Sequence, residues 1–172
     1  MKFHAVELAP RKNAKPKAWE GKHPLYFEAI MQLRNVQIEH VQRAVNIHDK
    51  AKVPIPKTVE QKTGIDLYSA DAKTTKAAAK NLQKKYGGIY LVTAKLFSEK
   101  DGRTIYRLTV LYRAPHFKRG DLVMYKGETY EVKLLQDKVV LQNPKTGKKI
   151  QLKCNEKDMA LIKNYREEQE QN

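Results

Sequence analysis

Residues 72–86 read AKTTKAAAKNLQKKY. Thr75, Ala78, Ala79, Leu82 and Tyr86 recur at spacings of three and four, and Lys73, Lys76, Lys80 and Lys84 do so separately. At about 100° per residue the two sets centre on opposite sides of a helix. One face is small and apolar, shaped to lie on a sheet. The other is a row of ammonium groups. Asp71 can cap the start and Gly87-Gly88 the end. A lysine row is ordinarily a solvated face, yet this segment holds no Asp or Glu to balance it.

Working outward, Gly64-Ile65-Asp66-Leu67-Tyr68 reads as a short strand leading into this helix, and 89–113 as a hairpin following it. Tyr90, Val92, Ala94 and Leu96 alternate on one arm; Tyr106, Leu108, Val110 and Tyr112 alternate on the other. A two-residue Asp101-Gly102 turn would put those sets on opposite faces. A three-residue loop, Lys100-Asp101-Gly102 with Gly102 left-handed, puts them on one face and is the expectation. Opposite pairs on the other face are then Leu91 with Leu111, Thr93 with Thr109, Lys95 with Arg107 and Phe97 with Ile105. Facing like charges cost stability. Lys95 and Arg107 are therefore either splayed into solvent or resting on something anionic.

Upstream, Leu25–Arg34 alternates, with Leu25, Phe27, Ala29, Met31 and Leu33 on one side of a strand. Gln37 to about Asp49 reads as a helix presenting Ile38, Val41, Val45 and His48. Pro54 and Pro56 make 51–56 a connection. Residues 24–113 thus form an α+β domain of order β-α-β-α-β-β, with both helices on one face of an antiparallel or mixed sheet. Residues 1–23 are a basic arm, broken by prolines, with Arg11, Lys12, Lys15, Lys17 and Lys22 around Trp19, the one tryptophan. It is either a basic terminus without a partner or an arm that orders on RNA, with Trp19 on a base or in a protein groove. Residues 114–153 hold short strands at close spacing, the pattern of a small barrel of SH3-like or oligonucleotide-binding type. Lys118, Arg119, Lys145, Lys148 and Lys149 stand at its strand starts and loop tips. Residues 154–172 read as a C-terminal helix and tail capped by Asn155.

The chain has 172 residues and a net charge of +15, from 34 Lys and Arg against 19 Asp and Glu. Self-repulsion on that scale opposes compaction, so a polyanion partner is the economical reason for it. Phosphate backbones are the first choice and an anionic membrane surface the rival, although no apolar run approaches a membrane span. Cys154 is the sole cysteine, which excludes an internal disulfide and a multi-cysteine zinc site and fits a cytoplasmic setting. His40 and His48 stand about 12 Å apart along a helix, too far for one ion. Gly147-Lys148-Lys149 lacks the rest of a phosphate-binding loop. No residue set argues for catalysis, a metal or a cofactor.

Tyr26 through Arg34 (YFEAIMQLR), Gly64 through Tyr68 (GIDLY) before an Ala/Lys helix, Tyr106 through Thr109 (YRLT) and Phe117 through Val123 (FKRGDLV) resemble, in this order, the nonsense-mediated-decay protein three family. The resemblance is nearest to archaeal members and spans roughly residues 24–152. Members are export and assembly adaptors of the large ribosomal subunit. The resemblance implies an α+β domain comparable with translation factor five A and a small barrel, both on the intersubunit side near the tRNA sites and the uL1 stalk. Members also carry a zinc region of Cys-x-x-Cys pairs and, in eukaryotes, a tail with nuclear-export signals; this sequence has neither, so zinc and an export receptor are not expected. The expectation is a non-enzymatic binder of large-subunit rRNA that neighbours ribosomal proteins, as a ribosome-associated protein or an assembly factor. The alternative is a free nucleic-acid-binding or translation-factor-like module for tRNA, mRNA or DNA.

Overall fold

The structure, a computed structural model, describes residues 17 and 19–170. Arg11, Lys12 and Lys15 of the expected arm lie outside the described residues. The first unit runs β1 (Ala29–Arg34), α1 (Ile38–Lys50), β2 (Lys57–Gln61), β3 (Gly64–Ser69), α2 (Ala72–Tyr86), β4 (Ile89–Lys100) and β5 (Arg103–Arg113). Its sheet order is β2-β3-β1-β5-β4. The central β1 is antiparallel to β3 and parallel to β5. Met31 and Leu33 of β1, Leu67 of β3 and Val110 and Tyr112 of β5 share one core with Ala44 of α1 and Ala78, Ala79 and Leu82 of α2. Both helices therefore cover the same face.

The order is β-α-β-β-α-β-β, one strand more than the sequence reading. β2 is an edge strand in which only Val59 is even half-buried, so no alternation of apolar residues marks it. β1 starts at Ala29, later than expected; Leu25 is 60% exposed. Phe27 does not join the helix-covered face but meets Tyr68, on the other face, edge to face at 4.8 Å. In α1 the buried line is His40, Ala44 and His48, spaced by four, with Val41 and Val45 flanking it. Ile38 is 54% exposed. The His40 ring caps the helix: its Nδ1 accepts from the Gln37 N–H at 3.0 Å, closing the first turn.

α2 forms as its spacing predicts. Thr75, Ala78, Ala79 and Leu82 are its buried residues. Asp71 Oδ2 accepts from the Thr74 N–H at 2.6 Å, and Glu28 Oε2 accepts from Ala72 N–H at 3.3 Å. Two carboxylates thus serve the N–H groups that an α-helix leaves open. Gly87, at φ +74°, ends it.

In the hairpin, Tyr90, Val92, Ala94 and Leu96 do face Tyr112, Val110, Leu108 and Tyr106. The turn is nevertheless the two-residue Asp101-Gly102, both left-handed at φ +54° and +69°, with Lys100 opposite Arg103. The extra residue is Phe97, a bulge between Leu96 and Ser98, and Ser98 faces Ile105. A primed turn matches strand twist better than a three-residue loop, and a bulge absorbs the odd residue without flipping either face.

The second unit runs β6 (Leu122–Tyr125), β7 (Glu128–Leu135), β8 (Lys138–Gln142), β9 (Lys149–Lys153), α3 (Glu156–Ala160), β10 (Ile162–Asn164) and α4 (Tyr165–Glu170). Its sheet is a meander whose last strand returns beside the first, in the order β10-β6-β7-β8-β9. Among the described residues β9 and β10 remain edges, so the expected barrel is an unclosed sheet. Phe117, Val123, Val132, Val139 and Leu141 fill its core. The expected C-terminal helix is interrupted, because Ile162 is buried opposite Tyr125 as part of a strand. Its N-cap holds: Asn155 Oδ1 accepts from the Asp158 N–H at 2.7 Å.

The units meet where β5 ends. Asn35 Nδ2 donates to Ala114 O at 2.9 Å, and Arg113 pairs with Glu156 at 3.7 Å. A Cβ on Gly87 would lie 2.4 Å from Leu135 Cγ, so β7 abuts the end of α2. Cys154 is buried, its Sγ 3.1 Å from Gln136 O, and burial pushes its thiol up. Such a thiol packs rather than reacts.

Candidate nucleic-acid interface

The lysine row lies on the outer surface of α2. Lys73, Lys80 and Lys84 are exposed and Lys76 half-buried. Over eleven residues the row rises about 16 Å. Ion pairs among the described residues join Arg34 to Asp66, Arg113 to Glu156 and Lys133 to Glu131; none takes a lysine of the row. Lys80 leans toward Tyr90, 5.9 Å from the ring centre. Beside the row, Arg43 of α1 donates from Nε to Asn81 Oδ1 at 2.6 Å, in a groove also lined by Glu39, Asn46, Lys50 and Lys85. The helices are thus tied side by side, and no ion pair among the described residues takes the ammonium groups of the row.

Arg107 lies on the opposite face of the sheet, which no helix among the described residues covers, its parity alternating with that of buried Val110 and Tyr112. It faces Lys95, as expected. The like charges are accommodated because the guanidinium turns into a ring sandwich, 4.0 Å from Phe27 and 3.4 Å from Phe97. Tyr68 continues the line from Phe27, and Lys57 Nζ ends it 5.1 Å from the Tyr68 ring. From β2 to β4 the line thus runs Lys57, Tyr68, Phe27, Arg107 and Phe97. The sequence reading missed Lys57, Phe27, Tyr68 and Phe97 as members. The only signal for Tyr68 was its parity opposite Leu67, and Lys57 had none once β2 went unseen. Farther along this face Arg34 holds Asp66 at 2.7 Å, with Gln61 Nε2 on the other carboxylate oxygen at 3.2 Å.

The remaining residues are spread out. Lys17 Nζ donates to Ala51 O at 3.1 Å at the C-terminal end of α1 and lies 5.1 Å from the Trp19 ring. That cation suits a helix C-terminus. Lys22 lies 5.9 Å from Tyr26, whose hydroxyl donates to Glu28 Oε1 at 3.0 Å. Lys118 and Arg119 are exposed in the turn before β6, where Asp121 Oδ2 accepts from the Lys118 N–H at 2.8 Å. Lys145, Lys148 and Lys149 are exposed around a loop in which Asn143 Oδ1 accepts from the N–H groups of Lys145 and Thr146. Lys148 shares a groove with Lys126, a tip cation the sequence reading missed. β7 approaches α2 at its Leu135 end, so this loop is at the far end of the second sheet. The candidate residues therefore form separate basic surfaces, with the α2 row and Arg107 on opposite sides of one sheet.

The chain is thus a two-unit protein, with a basic helix layer on a mixed sheet joined to a small antiparallel sheet with cationic loop tips. The chain belongs to the NMD3 family: the model described as NMD3, second domain, matches residues 26–113, which run from just before β1 to the end of β5. That family is linked to the large ribosomal subunit. No curated protein matches the chain.

Proposed function

We propose that the chain is a non-enzymatic, cytoplasmic rRNA-binding protein of the large ribosomal subunit, either ribosome-associated or an assembly factor, with ribosomal proteins and the tRNA-site or uL1-stalk region as its surroundings. The observation that carries this is the row of Lys73, Lys76, Lys80 and Lys84, outward on α2 and without an ion-pair partner among the described residues. Ammonium groups on a helix act as point charges on phosphate, so recognition follows shape and charge. The family's link to the large subunit supplies the setting. We read the second unit as a partly open barrel of SH3-like kind, because its last strand returns beside its first; its loop-tip lysines add phosphate contacts. The test is cosedimentation with large subunits on a sucrose gradient. Wild type should travel with them at low salt and leave as salt rises. Changing the four lysines to glutamate should abolish the association. A wild-type protein that stays at the top of the gradient at low salt would instead support the free nucleic-acid-binding reading.

A further inference from the structure

The face of the first sheet that no helix among the described residues covers is unlike the lysine row in kind. A row of ammonium groups needs only phosphates. Phe97 is 53% exposed at the bulge, and bulges re-aim side chains at sheet edges and functional sites. Here the bulge presses Phe97 onto one side of the Arg107 guanidinium while Phe27 holds the other. The guanidinium has thereby lost rotamer freedom before any ligand arrives. Tyr68 extends the surface across β3. Lys57 and Lys95 flank it, and no acid on this face pairs with either among the described residues. The Arg34–Asp66 pair closes the far part of the face, leaving the ringed end open.

A duplex hides its base faces, so rings and a flat guanidinium gain little from one. Unpaired nucleotides expose base faces that stack on aromatic side chains and on Arg planes, and a sheet of this width typically takes two or three. We propose that this face binds two or three unpaired RNA nucleotides, stacked on Phe97 and Tyr68, with Arg107 holding Phe97 in place and Lys57 and Lys95 on their phosphates. The ligand class rests on the RNA-binding reading above, but the face and the mode of contact are separate from those of α2.

The test measures fluorescence anisotropy with two labelled RNAs, an oligo-uridine of about ten nucleotides and a fully paired duplex. Phe97→Ala removes an exposed ring, and Arg107→Lys keeps the charge but loses the plane against which Phe97 is held. Each should weaken oligo-uridine binding about five-fold or more, the worth of a stacked base, and leave duplex binding unchanged. Glutamines at Lys73, Lys76, Lys80 and Lys84 should do the reverse. Thermal melts check that the variants fold. Should one of them unfold, ultraviolet cross-linking of oligo-uridine to wild type decides instead, with adducts expected in peptides holding Tyr68 and Phe97. Wild-type affinity for oligo-uridine in both folded variants, or adducts only in α2, overturns the proposal. Duplex binding without single-strand binding also overturns it but leaves the rRNA reading standing. Binding of neither RNA overturns both.

Discussion

Replacing Lys73, Lys76, Lys80 and Lys84 with glutamine removes four positive charges from one helix face and should change the salt dependence of RNA binding more than the fold. Lys76 is half-buried, so we count about three free phosphate contacts along a row about 16 Å long. Each neutralised phosphate on a duplex contributes about 0.9 to the slope of log affinity against log salt. The slope should therefore fall by about 3. Over a four-fold rise in salt, wild type should lose about forty-fold more affinity than the variant. Stability should hold. The neighbours Lys73–Lys76, Lys76–Lys80 and Lys80–Lys84 are like charges at spacings of three and four, and relieving each is worth about 0.2–0.5 kcal/mol. That offsets the loss of the Lys80–Tyr90 contact, worth about 0.5 kcal/mol at an exposed site. The assay is anisotropy titration against a paired rRNA fragment at several salt concentrations, with thermal melts alongside. An unchanged slope in a variant that melts like wild type would refute the reasoning and make the row a solvated face.

Three further outcomes follow from the fold. His48 is fully buried; its Nδ1 lies 2.8 Å from Ala44 O, and Nε2 has no hydrogen-bond partner among the described residues. Burial holds its pKa below the ordinary 6.5, against smaller opposing effects of the Ala44 bond, Asp49 and Asp71. The unfolded chain therefore takes up the proton first. Stability should be full above about pH 7.5 and decline as pH falls through the ordinary value; His48→Leu should flatten part of that decline in melts between about pH 8 and 5.5, and a parallel pH profile would contradict it. Gly88→Ala should destabilise by about 3 kcal/mol or more in urea titration, because φ is +94° and the new Cβ would lie 2.3 Å from Arg113 O. Asp71→Ala should cost about 1 kcal/mol by the same assay, since Asp71 alone caps Thr74 N–H and no acid follows in the first turn; a loss under about 0.3 kcal/mol would mean that Glu28 suffices.

What was legible in the sequence was whatever burial writes into periodicity. α2 showed both faces because one is buried against β1, β4 and β5 and the other carries charge. The faces of the hairpin were legible at its base, where Val110 and Tyr112 are buried, but its turn was not: one odd residue can sit in a loop or a bulge, and both sides of the outer ribbon are exposed, so burial does not choose between them. β2 was invisible because an edge strand with one half-buried residue has nothing to alternate. Ile38 misled because α1 buries the line His40, Ala44 and His48, of which apolarity marks only Ala44. In the candidate site the charges were visible but their grouping was not, since face and neighbour depend on strand order. The ring-and-cation line draws on residues from 27 to 107 that only the topology β2-β3-β1-β5-β4 brings together.

That topology also sets a timetable. Ala29 of β1 lies opposite Ser69 on one side and Leu108 on the other. A chain made from its N-terminus therefore builds its middle strand first and flanks it last. Until β5 emerges, β1 is an edge with unpaired backbone groups, and Met31 and Leu33 sit at the rim of a three-stranded sheet. Exposed edges of this kind recruit other strands, and such long-range pairing is slow to close. The arrival of 103–113 converts that liability into the centre of the sheet in one step. Any truncation before Arg113 should leave a sticky half-domain rather than a smaller soluble one.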